Sequence, residues 1–72
     1  MLSTIVVVKI GRRVRAERTK RFITQEQLAR AAGISQKALS KIETNEVEPR
    51  FSTIRKLAKA LDIAPYEFVE RE

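Results

Sequence analysis

The stretch from Thr24 to Glu43, TQEQLARAAGISQKALSKIE, constrains this chain more than any other. It reads as two short amphipathic helices across a tight turn. Thr24 is a good N-cap, and Gln27 three residues on completes a Thr-x-x-Gln capping box. Leu28, Ala31 and Ala32 mark the buried side of this helix, and small Ala29 lets a neighbouring helix come close. Gly33 supplies the left-handed conformation that ends it. Ser35 then caps a second helix, with Ile34 placed to staple onto Leu39. Leu39 and Ile42 face inward. Gln36, Lys37, Ser40 and Lys41 are left outside, and Glu43, one turn beyond Leu39, borders the buried face.

The flanking segments fit around this unit. Met1 to Val8 carries no charge and is rich in β-branched residues, so it reads as a short strand or a frayed extension. A lone strand is marginal in water. It either pairs, with a second copy of the chain as the functional option, or packs on the helix that follows. That helix runs from Lys9 or Ile10 to Arg21, with Ile10 and Val14 on one stripe that Arg18 continues. An arginine on such a stripe needs a carboxylate or a path to water. Thr44-Asn45 ends the helix begun at Ser35, because Asn tolerates the left-handed cap. Glu46 to Arg50 is a loop closed by Pro49. A fourth helix runs from about Ser52 to Leu61, with an apolar face of Phe51, Ile54, Leu57, Ala58 and Leu61. A last short helix opens at Pro65, letting Tyr66, Phe68 and Val69 dock on the core. The division expected is an extension over 1–8 and one domain over 9–72.

Composition excludes much chemistry. There is no cysteine and no histidine, so thiol nucleophiles, imidazole bases and the usual zinc sites are absent. No carboxylate pair stands at an informative spacing. The chain is therefore read as a non-enzyme without metal, cofactor or small-molecule ligand. The apolar run Ile5-Val6-Val7-Val8 is far short of the ~20 residues of a membrane span; it is also too short for a secretory signal and follows no positive charge, so the expected location is the cytoplasm. Net charge is +6, from 15 Lys+Arg against 9 Asp+Glu. A basic domain of this size favours an anionic partner, although a plain soluble surface gives the same number. Lys9, Arg12, Arg13, Arg15, Arg18, Lys20 and Arg21 crowd the first helix, opposed only by Glu17, and mark that end as the expected anion-facing side.

Two helices across a glycine turn, the second opening with polar and cationic side chains, is the helix-turn-helix layout. The DNA major groove admits one helix, whose first residues reach base edges while the preceding helix crosses the phosphates. Several runs carry a closer likeness: Thr24-Gln25-Glu26-Gln27-Leu28-Ala29, Ala32-Gly33-Ile34-Ser35-Gln36, Leu39-Ser40-Lys41-Ile42-Glu43, then Pro49 and Leu57-Ala58-Lys59-Ala60-Leu61. With these, Ile10 to Phe68 resembles the lambda-repressor-like domain of the Cro/C1-type (XRE) family.

The resemblance implies an all-α, five-helix fold and a sequence-specific regulator of transcription, a repressor that binds double-stranded DNA as a homodimer. It implies base reading by Gln36, Lys37, Ser40 and Lys41. Glutamine can bond adenine on two edges, and lysine can meet guanine or a phosphate. It places Gln25 on a phosphate, with Thr24, Asn45 and Arg50 as further phosphate candidates. It also implies that Arg18 and Glu43 meet as a partly buried, structural ion pair. Three features depart from the family. Phe22 stands where a glycine is common, and either reshapes that turn or covers the core or an interface. Glu46 repels phosphate. Leu2 to Val8 has no counterpart. A complete small regulator, a domain of a longer repressor and an antitoxin all fit. The alternative class is a protein-interaction module on the same helices, with DNA binding secondary.

Overall fold

Four α-helices carry the fold in the computed structural model: α1 Ile10–Lys20, α2 Gln25–Ala32, α3 Gln36–Glu43 and α4 Phe51–Leu61. A 3-10 turn, Pro65–Phe68, follows, and the two-residue strands β1, Val6–Val7, and β2, Glu70–Arg71, pair antiparallel. The structure describes residues 6–7, 10–68 and 70–71. The expected fifth helix is thus corrected to a single 3-10 turn. Pro65 opens it, but the backbone is extended again by Glu70, which leaves no length for an α-helix.

The registers Val6 to Arg71 and Val7 to Glu70 tie the two ends of the chain together. Where Met1 to Val8 is described, Val6–Val7 pairs with the chain's own C-terminal segment. The rest of that segment, Lys9 and Val69 lie outside the described residues.

The helix ends follow local chemistry. Thr24 Oγ1 accepts from the Gln27 N–H at 3.0 Å, and the Thr24 N–H donates to Gln27 Oε1 at 2.8 Å, which closes the capping box. Gly33 ends α2 at φ 74, and the Ser35 hydroxyl accepts the Ala38 N–H at 3.0 Å. Asn45 takes φ 61 just past α3, and Asp62 takes φ 59 at the end of α4. Both side-chain types tolerate that region better than bulkier ones.

One core is shared by all four helices and the 3-10 turn, built from Ile10, Val14, Leu28, Leu39, Ile42, Leu57, Leu61 and Phe68 among others. Three expectations are corrected at its margins. Ala31 is exposed, outside the buried face that holds Leu28, Ala29 and Ala32; the burial of Ala29 agrees with its expected close helix contact. Phe51 is 66% exposed, since it sits at the first position of α4 and projects beyond the packed face; the Arg55 guanidinium lies 5.5 Å from its ring centre. Tyr66 is 75% exposed, and only Phe68 of the 3-10 turn enters the core. Phe22, at φ 57 and 94% exposed, reshapes the α1–α2 turn and does not cover the core.

Gly11 sets how closely α1 meets the end of α3. A Cβ there would collide with the Ile42 carbonyl oxygen and lie 2.8 Å from that of Glu43. The Gly11 N–H donates to Asn45 Oδ1 at 3.3 Å, so an α3 terminal side chain caps α1 across the fold. Helix propensity alone favours alanine over glycine by about 1 kcal/mol. Backbone oxygens cannot swing aside, so Gly11→Ala is expected to destabilise by about 1–3 kcal/mol instead. Urea unfolding gives the sign, and a raised midpoint would contradict this packing.

Candidate nucleic-acid interface

Burial of Leu39 and Ile42 fixes which side of α3 faces out. On that outer side Gln36, Lys37 and Lys41 are exposed and Ser40 half-buried. These four side chains line one shallow concavity, joined by Gln25 from the start of α2 and Glu46 from the loop after α3. The four base-reading candidates are therefore brought together with one phosphate candidate. A second groove on the flank of α3 joins Lys37 and Lys41 to Arg50.

A buried polar network holds this face in place. Arg18 Nε donates to Glu43 Oε2 at 2.8 Å and Nη2 donates to Oε1 at 3.1 Å, a two-pronged pair. The third prong, Nη1, donates to the Ile23 carbonyl at 2.9 Å. Side-chain exposure is 13% for Arg18 and 2% for Glu43, so the pair is shielded from screening solvent. Glu43 also accepts from Gln25 Nε2 at 3.0 Å. One carboxylate thus connects α1, α2 and α3. The interrupted stripes suggested burial for Arg18 and Glu43; the resemblance implied that Gln25 supports the recognition helix, and its bond to Glu43 is the contact through which it does so.

The phosphate candidates divide. Gln25 commits one amide hydrogen to Glu43 and keeps another for a ligand. Thr24 is exposed; its hydroxyl oxygen accepts the capping bond and its hydrogen remains to donate. Arg50 is exposed at the N-cap of α4 and makes no side-chain capping bond there. Asn45 is different, because its carbonyl oxygen is turned to Gly11 on α1. The loop amides are also occupied. The N–H groups of Thr44, Asn45 and Glu46 donate to the carbonyls of Ser40, Ile42 and Lys41.

The basic cluster on α1 divides: Arg12, Arg15 and Lys20 are exposed, whereas Arg18 and Arg21 are held by carboxylates. Arg18 belongs to Glu43. Glu17, itself only 8% exposed, takes Arg21 at 2.7 Å and Lys20 at 3.4 Å. The Arg21 hydrogen bond holds the Glu17 carboxyl below its ordinary range, against the opposing effect of burial. Lys37, Lys41 and Arg50 add exposed positive charge on and beside α3. Among the described residues, no group of carboxylates is placed to hold a metal ion, and no helix is long and apolar enough to cross a membrane.

Known proteins share this arrangement. The immunity repressor protein of Bacillus phage phi105 is 38% identical over 63 residues, 88% of this chain and 44% of the relative. The HTH-type transcriptional repressor RghR of Bacillus subtilis is 45% identical over 58 residues, 79% of this chain and 42% of its own length. This chain spans less than half the length of either. Two solved structures superpose closely. The restriction-modification controller protein C.AhdI of Aeromonas hydrophila gives a TM-score of 0.81 at 38% identity, over 85% of this chain and 92% of that one. The c2 repressor of Salmonella phage P22, solved in complex with a synthetic operator, gives 0.77 at 37% identity, over 82% and 89%. A helix-turn-helix family model, HTH_3, matches residues 14–68, from the second turn of α1 to the end of the 3-10 turn. With the capped α2–turn–α3 unit, its polar outer face and the buried Arg18–Glu43 support all within that match, the chain belongs to the HTH_3 helix-turn-helix family.

Proposed function

We propose that this chain is a sequence-specific DNA-binding regulator of transcription, a repressor that inserts α3 into the major groove as a homodimer. The observation that carries the proposal is the shared concavity of Gln36, Lys37, Ser40 and Lys41 on the outer face of a helix anchored from behind. Glutamine and lysine supply donors and acceptors that match base edges. Gln25, Thr24 and Arg50 flank them and take phosphates, which fix register without carrying sequence. The phi105 and RghR relatives are repressors, and the P22 repressor was solved in complex with a synthetic operator. One α3 reaches only a few base pairs. Two copies on half-sites about one helical turn apart, ~10–10.5 base pairs, give useful affinity and selectivity.

Binding to duplex DNA measured from low to physiological salt tests the reading. Affinity should fall steeply as salt rises, because lysine and arginine release counterions from phosphates. Weak binding to every duplex with no salt response would sink it and leave the protein-interaction alternative. Gln36→Ala and Lys41→Ala should each weaken binding to a selected site by about 1–3 kcal/mol, with less effect on random DNA. Equal losses on both duplexes would move these side chains to the phosphate class.

A further inference from the structure

Among the described residues, Glu46 is the one carboxylate lining the concavity that holds the base-reading set. Its placement is costly in a protein that approaches phosphates. It lies just past the C-terminal end of α3, where the helix dipole also disfavours negative charge. Yet the side chain is held there. The Thr44 hydroxyl lies 2.6 Å from Glu46 Oε2, and the Glu46 N–H donates to the Lys41 carbonyl at 2.9 Å. The backbone amides of Thr44, Asn45 and Glu46 are all bonded to carbonyls of α3, so the loop backbone has no free N–H for a phosphate. Beyond the last residue of α3, Glu46 is the charged side chain that lines the concavity among the described residues.

An ionised carboxylate only accepts hydrogen bonds. On DNA it is repelled by every phosphate and satisfied only by an amino group on a base edge. In the major groove those groups are cytosine N4 and adenine N6, and cytosine N4 is the one usually matched to glutamate. Resting on the DNA-binding reading above, we propose that Glu46 is a specificity-determining residue that selects cytosine at one position of each half-site. Thr44 orients the carboxylate for this contact. The same charge lowers affinity for duplexes that present only phosphate at that point, so Glu46 raises discrimination while reducing general binding.

The test is selection of bound duplexes from a random pool, run in parallel with the unaltered chain, Glu46→Ala and Glu46→Gln. Glu46 is exposed, so both variants keep the fold. The unaltered chain should enrich cytosine at one position per half-site. Glu46→Ala should make that position alone degenerate, keep the positions read by Gln36 and Lys41, and bind random DNA more tightly. Replacing the selected C·G pair should weaken the unaltered chain by about 5- to 150-fold, the usual cost of one mismatched pair, and leave Glu46→Ala nearly unaffected. Glu46→Gln should shift the preference from cytosine towards adenine. An enriched site that is identical for all three proteins would overturn the role of Glu46 while leaving the DNA-binding function intact. So would a loss of preference at every position together. A pool from which the unaltered chain enriches nothing would overturn the function itself.

Discussion

Glu43→Ala is expected to destabilise the domain by about 3–5 kcal/mol, the usual cost of stranding one member of a buried ion pair. The substitution leaves the Arg18 guanidinium 13% exposed without its carboxylate, and removes the acceptor of Gln25 as well. A chain of 72 residues has a total stability of roughly 4–11 kcal/mol at ordinary per-residue values, so the loss removes a large share of it. Urea unfolding followed by circular dichroism measures the loss. Arg18→Ala should cost a similar amount, and the double variant much less than the sum, because the two share one interaction. A loss below about 1 kcal/mol for Glu43→Ala would match a solvent-screened surface pair and contradict the buried network. The functional consequence is positional. Where folded protein remains, α3 loses its tie to α1 and α2, so DNA affinity falls although Glu43 touches no base.

The second large effect lies at the other end of the chain. Phe68 is fully buried and is the largest such side chain in the domain. It is delivered by the 3-10 turn into the space between α1 and α4. Phe68→Ala removes that burial and leaves a cavity, at an expected cost of about 3–5 kcal/mol. Its neighbour Tyr66, 75% exposed, is the control, and Tyr66→Ala should stay within about 0.5 kcal/mol. Thermal melts of the two variants side by side decide the matter. Similar melts would mean that the segment after Pro65 does not complete the core.

The parts of this fold legible in the sequence are those governed by neighbours along the chain. The Thr24–Gln27 box, Gly33, Ser35 and the αL conformation of Asn45 depend on a few successive residues, and each is found where local chemistry puts it. The inward stripes of Ile10 and Val14, and of Leu39 and Ile42, follow from the helical period. The period sets the centre of a buried face but not its edges. That is why Ala31 falls outside the buried face, and why Phe51, at the first position of α4, stays in solvent. Contacts between distant segments left no such signature. Nothing near Gly11 announces the Ile42 carbonyl, and nothing near Asn45 announces that it caps α1. The pairing of Val6–Val7 with Glu70–Arg71 is equally invisible to local pattern. For the interface, the stripe showed which side chains of α3 point outward. The tether of Gln25 to Glu43 and the place of Glu46 in the same concavity required the folded chain.

The central claim is that α3 reads sequence, in two copies related by symmetry. The most direct measurement is the sequence recovered when the unaltered chain selects duplexes from a random pool at physiological salt. The expected result is a two-fold symmetric site whose half-sites lie about one helical turn apart, ~10–10.5 base pairs. A pool that emerges without an enriched sequence, or an enriched site without symmetry, would contradict it.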